Sequence, residues 1–169
     1  MNVFGIAGYS GAGKTTLLEA LIPLFVARDL RVSLIKHTHH DFDIDKPGKD
    51  SWRLREAGCA EVMLLSNRRW ALMHELRGAA EPSLDEQLAL LSPCDLVLIE
   101  GYKDAPYPKI EVHRSENKKP LLLTASPGNI VAVASDVAIA LPPGIDLPVF
   151  KLSDREGIAN FILSHLNCS

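Results

Sequence analysis

The chain of 169 residues has 47% apolar and 23% charged residues and a formal net charge of −3, the size and balance of one globular domain with a single core. No long basic run appears, which argues against a surface that follows a nucleic-acid backbone. Its longest apolar stretch, Leu17 to Ala27, is interrupted by Glu19 and Pro23 and is too short to cross a bilayer. In chain order, Val3 to Ala7 reads as a short buried strand ended by Gly8. Lys14 to Arg28 reads as a helix whose Leu17, Leu21, Leu24 and Phe25 share one face, with Pro23 expected to kink it. Arg31 to Lys36 is a second strand, and the polar segment from His37 to Lys49 a loop. Asp50 is placed to cap a helix ending at Gly58. Glu61 to Leu65 and Ala71 to Glu75 are strand-like, and Arg77 to Pro82 a surface loop.

Ser83-Leu84-Asp85-Glu86 has the form of a capping box, opening a helix with Leu84, Leu88 and Leu91 inward. Leu96 to Ile99 is the most strand-like run in the chain. Ile110 to His113, Ile130 to Ala134 and Val149 to Leu152 are further strands. Ser153-Asp154-Arg155-Glu156 is a second capping box, opening a closing helix with Ile158, Phe161, Ile162 and Leu166 on its apolar face. Strands alternating with helices predict an α/β protein, a three-layer sandwich around a largely parallel, mixed central sheet. The antiparallel part is expected from the closely spaced pair at Glu61 to Glu75. Cys59, Cys94 and Cys168 show no CxxC spacing, so neither zinc ligation nor a disulfide framework is indicated. Met1 leads directly into a strand without a charged leader, so a cytoplasmic location is expected.

Gly8-Tyr9-Ser10-Gly11-Ala12-Gly13-Lys14-Thr15 matches GxxxxGK[ST] in full, after a strand and at the start of a helix, which is the P-loop of nucleoside triphosphatases in its required context. Glycines let successive backbone N–H groups converge on phosphate oxygens, and the helix N-terminus adds the positive end of its dipole. Ser10, Gly11, Ala12, Gly13, Lys14, Thr15 and Thr16 are thus the candidate nucleotide-binding residues. Lys14 is expected at the β- and γ-phosphates, and the Thr15 hydroxyl on Mg²⁺. The strand Asp95 to Glu100 has an acid at each end, and these lie roughly 16 Å apart at about 3.3 Å per residue. Ligands of such sheets bind beyond the carboxyl ends of the strands. Glu100 is therefore the candidate to hold Mg²⁺ or to orient water, and Asp95 a turn residue at the strand start.

Three readings compete for the segment 37–50. A calcium loop counted from Asp41 would need Gly and Glu where Lys46 and Trp52 stand, and is rejected. His37, His39 and His40 offer imidazoles suited to zinc, although neighbouring side chains at 39 and 40 point apart. A switch loop over the γ-phosphate fits its place after the carboxyl end of a strand; a solvated loop without a role is the plain alternative. For the base, Asn117-Lys118-Lys119 resembles the start of NKxD, but Pro120 stands in the Asp position. Asp136, directly after an apolar strand, can accept hydrogen bonds from guanine N1–H and its amino group, which favours GTP. A strand-end turn aspartate is the competing reading.

Taken together, the phosphate loop to Thr16, the segments Ile35 to His40 and Asp45 to Ser51, Arg69 to Met73, Glu100-Gly101-Tyr102-Lys103 and Val131 to Asp136 resemble the MobB family of molybdopterin-guanine dinucleotide biosynthesis proteins over nearly the whole chain. The resemblance implies a GTP-binding α/β protein, usually a homodimer. It also implies an accessory role beside the guanylyltransferase MobA, which attaches GMP to the molybdopterin cofactor. Many relatives in the wider SIMIBI group of NTPases carry a second lysine early in the phosphate loop; Tyr9 stands there in this chain. Slow intrinsic hydrolysis is expected, since Tyr102-Lys103 follows Glu100-Gly101 where a water-orienting glutamine would be needed. Two other classes remain in play, a small-molecule kinase and a nickel-handling metallochaperone GTPase. A kinase lid rich in arginine is not apparent, Arg68-Arg69 being the one adjacent pair.

Overall fold

Every strand of the central sheet runs the same way, so all of its carboxyl ends emerge at one edge. The computed structural model describes residues 1–38, 42–125 and 128–168. Six strands make this sheet: β1 (Asn2–Ala7), β2 (Val32–Lys36), β5 (Leu96–Glu100), β6 (Lys109–His113), β7 (Ile130–Ser135) and β8 (Val149–Lys151). Their order across the sheet is β2-β5-β1-β6-β7-β8, with parallel pairing throughout. The register sets Ile6 opposite Glu100 and Lys36 opposite Glu100. The antiparallel pair, β3 (Glu61–Leu65) with β4 (Trp70–His74), forms its own two-stranded sheet. The chain accordingly divides into two compact units, residues 1–37 with 87–169, and residues 38–86.

In the larger unit, helix α1 (Lys14–Val26) and helix α5 (Arg155–His165) cover one face of the sheet. Phe4 and Ile6, Leu96 and Leu98, Ile110 and Val112, and Ala132 and Ala134 alternate along their strands to meet Leu17, Leu21, Phe25, Ile158 and Ile162. Each fully buried leucine, isoleucine or phenylalanine of this kind contributes about 1.5–3 kcal/mol, and the helix behind the phosphate loop rests on the larger of the two apolar clusters among the described residues. The opposite face carries a smaller cluster, in which Ala7 and Val133 meet Leu122 and Leu123 of the short helix α4 (Leu122–Ala125). No helix among the described residues is long and apolar enough to cross a membrane.

Several element ends differ from the sequence expectation, for local reasons. Helix α1 runs through Pro23 and ends at Val26, where Asp29 turns left-handed at φ 60°. Helix α2 (Asp50–Glu56) takes Lys49 as its N-cap, so Asp50 is its first helical residue. There its charge favours the positive helix end without capping it. The capping box at α3 (Leu84–Ala89) is present as read: Ser83 N–H donates to Glu86 at 2.8 Å and Glu86 N–H to Ser83 Oγ at 3.3 Å. At α5 the cap lies one residue later than read, since the Asp154 carboxylate, not Ser153, accepts from Gly157 N–H at 3.0 Å.

In the smaller unit Asp43 and Asp45 of the 37–50 segment are spent on one arginine. Arg55 Nη2 reaches Asp43 at 2.8 Å, its Nε reaches Asp45 at 3.3 Å, and its Nη1 reaches Glu75 at 3.1 Å. Ser51 Oγ–H also donates to Asp45 at 2.9 Å. These partners hold the guanidinium charged well above its ordinary range. Asp43 and Asp45 thus serve as anchors of the loop.

Candidate functional site

The turn from β1 into α1 depends on backbone that only glycine takes up without strain. Gly8 has φ 146°, and a Cβ there would lie 2.5 Å from the Val112 carbonyl oxygen. Gly13, the N-cap of α1, has φ 92° and ψ 21°. The first turn of α1 contains no acidic residue, so the positive end of the helix is left for an incoming anion. Lys14 folds back across the loop, its Nζ donating to the carbonyls of Gly8 and Tyr9, each at 3.1 Å. Burial pulls its ammonium below the ordinary lysine range; Glu100 opposes that shift, while Lys103 and Lys36 add to it.

Parallel pairing of β5 beside β1 brings Glu100 to the foot of this loop. Thr15 Oγ1–H is 3.4 Å from each Glu100 carboxylate oxygen, and Glu100 is 6% exposed. A hydroxyl beside a buried carboxylate is a hard-oxygen donor pair of the kind that holds Mg²⁺ with phosphate oxygens and water. The residues present therefore fit that ion. Lys36 joins the pair from β2, its Nζ 3.3 Å from Thr15 Oγ1 and 3.5 Å from Glu100 Oε2. Asp95 lies at the opposite end of β5. It accepts from the Arg31 backbone N–H at 2.8 Å and the Arg31 Nε at 3.3 Å, and so latches the start of β2. The Arg31 backbone N–H, with its guanidinium, holds the Asp95 carboxyl below the usual range.

Beside Gly13 and Thr16 a cleft of about 570 Å³ opens, walled by Ile139 and Phe150 and bordered by Asp136 and Arg114. Asp136 is fixed there by Ser115, whose N–H and Oγ–H each donate to it at 3.0 Å. The Ser115 backbone N–H is the main reason its carboxyl lies below the ordinary range. It is thus an ionised acceptor at the rim of the cleft, with lone pairs beyond those Ser115 uses. The Asn117 side chain donates to the Ser10 carbonyl at 3.4 Å, so Asn117, the last residue of a 3₁₀ turn over Ser115–Asn117, lies against the phosphate loop.

Of the residues read from sequence, the structure groups Ser10, Gly11, Ala12, Gly13, Lys14, Thr15, Thr16 and Glu100 around one loop, with Asp136 on the adjoining cleft. His39, His40 and Asp41 lie outside the described residues. His37 packs its ring on Tyr102, centroids 5.3 Å apart, and its N–H donates to the Glu100 carbonyl at 3.0 Å. Among the described residues no group of three His, Cys, Asp or Glu side chains is placed to hold a metal. Sequence reasoning missed Lys36, Ser115 and Arg114, the last with its guanidinium nitrogen 3.1 Å from where a Gly13 Cβ would be. It also missed the setting of Tyr9, whose ring carries Lys103 Nζ at 5.1 Å and Lys119 Nζ at 4.8 Å.

Residues 3–136 match the family model described as molybdopterin guanine dinucleotide synthesis protein B. A molybdopterin-guanine dinucleotide biosynthesis adapter protein of Haemophilus influenzae is 44% identical over 165 residues, covering 98% of this chain and 89% of that protein. Its namesake in Escherichia coli is 43% identical over 164 residues, covering 95% and 91%. Among solved structures, Bacillus subtilis MobB superposes with a TM-score of 0.78 at 25% identity, covering 98% of each chain. A MobB homologue from Bacillus stearothermophilus gives 0.74 at 27% identity over the whole of both chains.

Proposed function

Because the chain belongs to the MobB family, molybdopterin guanine dinucleotide synthesis protein B, we propose that it is the GTP- and Mg²⁺-binding adapter of that biosynthesis. The coarse role, an adapter in making the molybdopterin guanine dinucleotide, comes with the family. The finer reading rests on one observation: Lys14, Thr15 and Glu100 meet at the carboxyl edge of the sheet, beside a cleft that starts at Gly13 and Thr16. Lys14 neutralises phosphate charge, Thr15 and Glu100 hold Mg²⁺, and Asp136 accepts from the guanine edge. Mg²⁺, when bound, offsets charge on the phosphates. Titration of the full chain with GTP and with ATP, each with and without Mg²⁺, tests this. Tight binding that requires Mg²⁺ and favours GTP is expected; equal affinity for ATP would remove the guanine reading.

Hydrolysis by the chain alone is proposed to be slow. Tyr102 donates its hydroxyl to Gln87, and Arg114 lies on the Gly13 side of the loop, at the cleft rather than at Glu100. The partner is proposed to be the guanylyltransferase MobA with its molybdopterin; co-sedimentation of the two purified proteins with and without GTP is the check. A homodimer is proposed as well. Cross-strand register puts Met63, Leu65, Trp70 and Leu72 on one face of the β3–β4 hairpin, exposed by 59, 77, 62 and 44%. A two-stranded sheet with an uncovered apolar face is marginal alone. Sedimentation of Trp70→Glu should show a shift towards monomer, and an unchanged mass would move the interface elsewhere.

A further inference from the structure

Lys36 lies on neither the phosphate loop nor β5, yet its ammonium touches both groups assigned to the metal. Its Nζ is 3.3 Å from Thr15 Oγ1 and 3.5 Å from Glu100 Oε2. The Thr15 hydroxyl in turn lies 3.4 Å from both Glu100 oxygens. A positive group in contact with both donors competes with any metal ion for the same oxygens. We propose that Lys36 is a built-in cation that competes with Mg²⁺ for Thr15 and Glu100, so that the metal binds well only together with the triphosphate. This rests on the reading of Thr15 and Glu100 as the metal-holding pair.

The exchange needs only a side chain to move. The backbone at this point is held: Lys36 pairs with Glu100 in the sheet register, and His37 N–H donates to the Glu100 carbonyl at 3.0 Å. The Lys36 side chain is 52% exposed, so its four-carbon stem can swing the ammonium out without disturbing β2. The charge balance favours joint binding. Glu100, Lys103 and Lys36 all act electrostatically on Lys14, and three ammonium groups against one carboxylate leave a surplus of positive charge. A bare divalent cation adds to that surplus and must displace Lys36 without reward. A metal–triphosphate brings net negative charge, and the displaced Lys36 then faces phosphate oxygens.

The test titrates Mn²⁺ alone into the nucleotide-free full chain, following free Mn²⁺ by electron paramagnetic resonance. Lys36→Met should bind Mn²⁺ at least about tenfold more tightly than the wild type, since a unit charge a few ångströms from the ion is removed. Lys36→Arg, which keeps the charge, should stay near wild type. The gain should vanish in the double variant Lys36→Met with Glu100→Gln. Equal Mn²⁺ affinity in Lys36→Met and wild type, with a folded protein by circular dichroism, overturns the proposal. A parallel titration with GTP present separates the layers. If Mn²⁺ then binds through Glu100 but Lys36→Met changes nothing without nucleotide, Lys36 alone is misassigned. If Mn²⁺ binding ignores Glu100 even with GTP, the metal assignment fails and takes this proposal with it.

Discussion

Replacing Lys14 by alanine isolates the phosphate-binding role from the fold. In the protein the Lys14 ammonium holds two backbone carbonyls, those of Gly8 and Tyr9, each at 3.1 Å. Charge-assisted contacts of this kind are worth about 1.5–3 kcal/mol each, so two phosphate contacts made by Lys14 would supply about 3–6 kcal/mol. The carbonyl contacts must loosen when phosphate arrives, which favours the lower figure. A loss of about 3 kcal/mol is a fall in GTP affinity of roughly a hundredfold or more, enough to take binding out of calorimetric range. The fold should persist, because α1 is held by Leu17, Leu21 and Phe25 in the core and Lys14 lies at its edge. The assay is calorimetric titration of Mg²⁺–GTP into Lys14→Ala, with a thermal melt by circular dichroism as control. A folded variant that binds GTP within a few-fold of wild type would refute the phosphate-loop assignment, however complete the motif.

Glu100→Gln should weaken Mg²⁺-dependent hydrolysis, followed by phosphate release, far more than it weakens GTP binding; a silent Glu100→Gln with a damaging Asp95→Asn would reverse the assignment of the two ends of β5. Asp95→Asn should instead lower stability at neutral pH. The folded-state carboxyl is depressed by Arg31, so its contribution is present above the unfolded value of about 4 and lost as pH falls through the folded one. Melting curves of wild type and variant should accordingly converge on acidification, and a gap that is constant with pH would exclude the Arg31 latch. Glu111, buried at 1% exposure, accepts from Leu122 N–H at 2.5 Å and Leu123 N–H at 2.9 Å. Glu111→Gln turns an amide donor towards one of those N–H groups, at a cost of about 1–3 kcal/mol or several degrees in Tm; an unchanged melt would count against that geometry. Asp136→Asn should shift preference from GTP towards xanthosine triphosphate, whose 2-oxo group suits an amide donor, and unchanged selectivity would place the base outside the cleft beside Phe150.

The phosphate loop could be read from sequence because its chemistry and its local structure are the same eight residues, Gly8 to Thr15. Glu100 could be chosen over Asp95 because strand direction alone decides which end faces the ligand. The Ser83–Glu86 box was legible for a similar reason, both partners lying within one turn. What escaped depends on strand order or on elements too short to be periodic. Lys36 reaches Thr15 and Glu100 only because β2 pairs with β5 rather than with β1, and nothing in residues 32–36 encodes that neighbour. Ser115 and Asn117 sit in a three-residue 3₁₀ turn, which has no hydrophobic period to detect. Arg55 gathers Asp43, Asp45 and Glu75 across up to 20 positions of sequence, so the loop acids look like metal ligands until their counter-charge is seen. At α5, Ser153 and Asp154 are both good caps, and tertiary packing of Ile158 and Ile162 selects the frame that uses Asp154.

The lysines near Glu100 bear on the proposal that this adapter holds GTP rather than consuming it. Fast hydrolysis needs a group that orients water and a cation that moves onto the γ-phosphate as charge develops; an arginine supplied for this purpose is worth on the order of 10³- to 10⁵-fold. The cations whose charges act on Lys14 are lysines, Lys36 and Lys103, and all three would meet phosphate as single point charges without the planar fork of arginine. Lys103 is further engaged with the Tyr9 ring at 5.1 Å. Such lysines would stabilise a bound triphosphate and its transition state to similar extents, and uniform binding of that kind raises affinity without raising turnover. The expected result is tight Mg²⁺–GTP binding with single-turnover hydrolysis no faster than roughly the 10⁻⁴–10⁻³ s⁻¹ of a GTPase without an arginine finger, measured by phosphate release. Turnover at the rate of an assisted GTPase, by this chain alone, would mean that one of these lysines or Arg114 is positioned for the transition state, and the holding role would have to be abandoned.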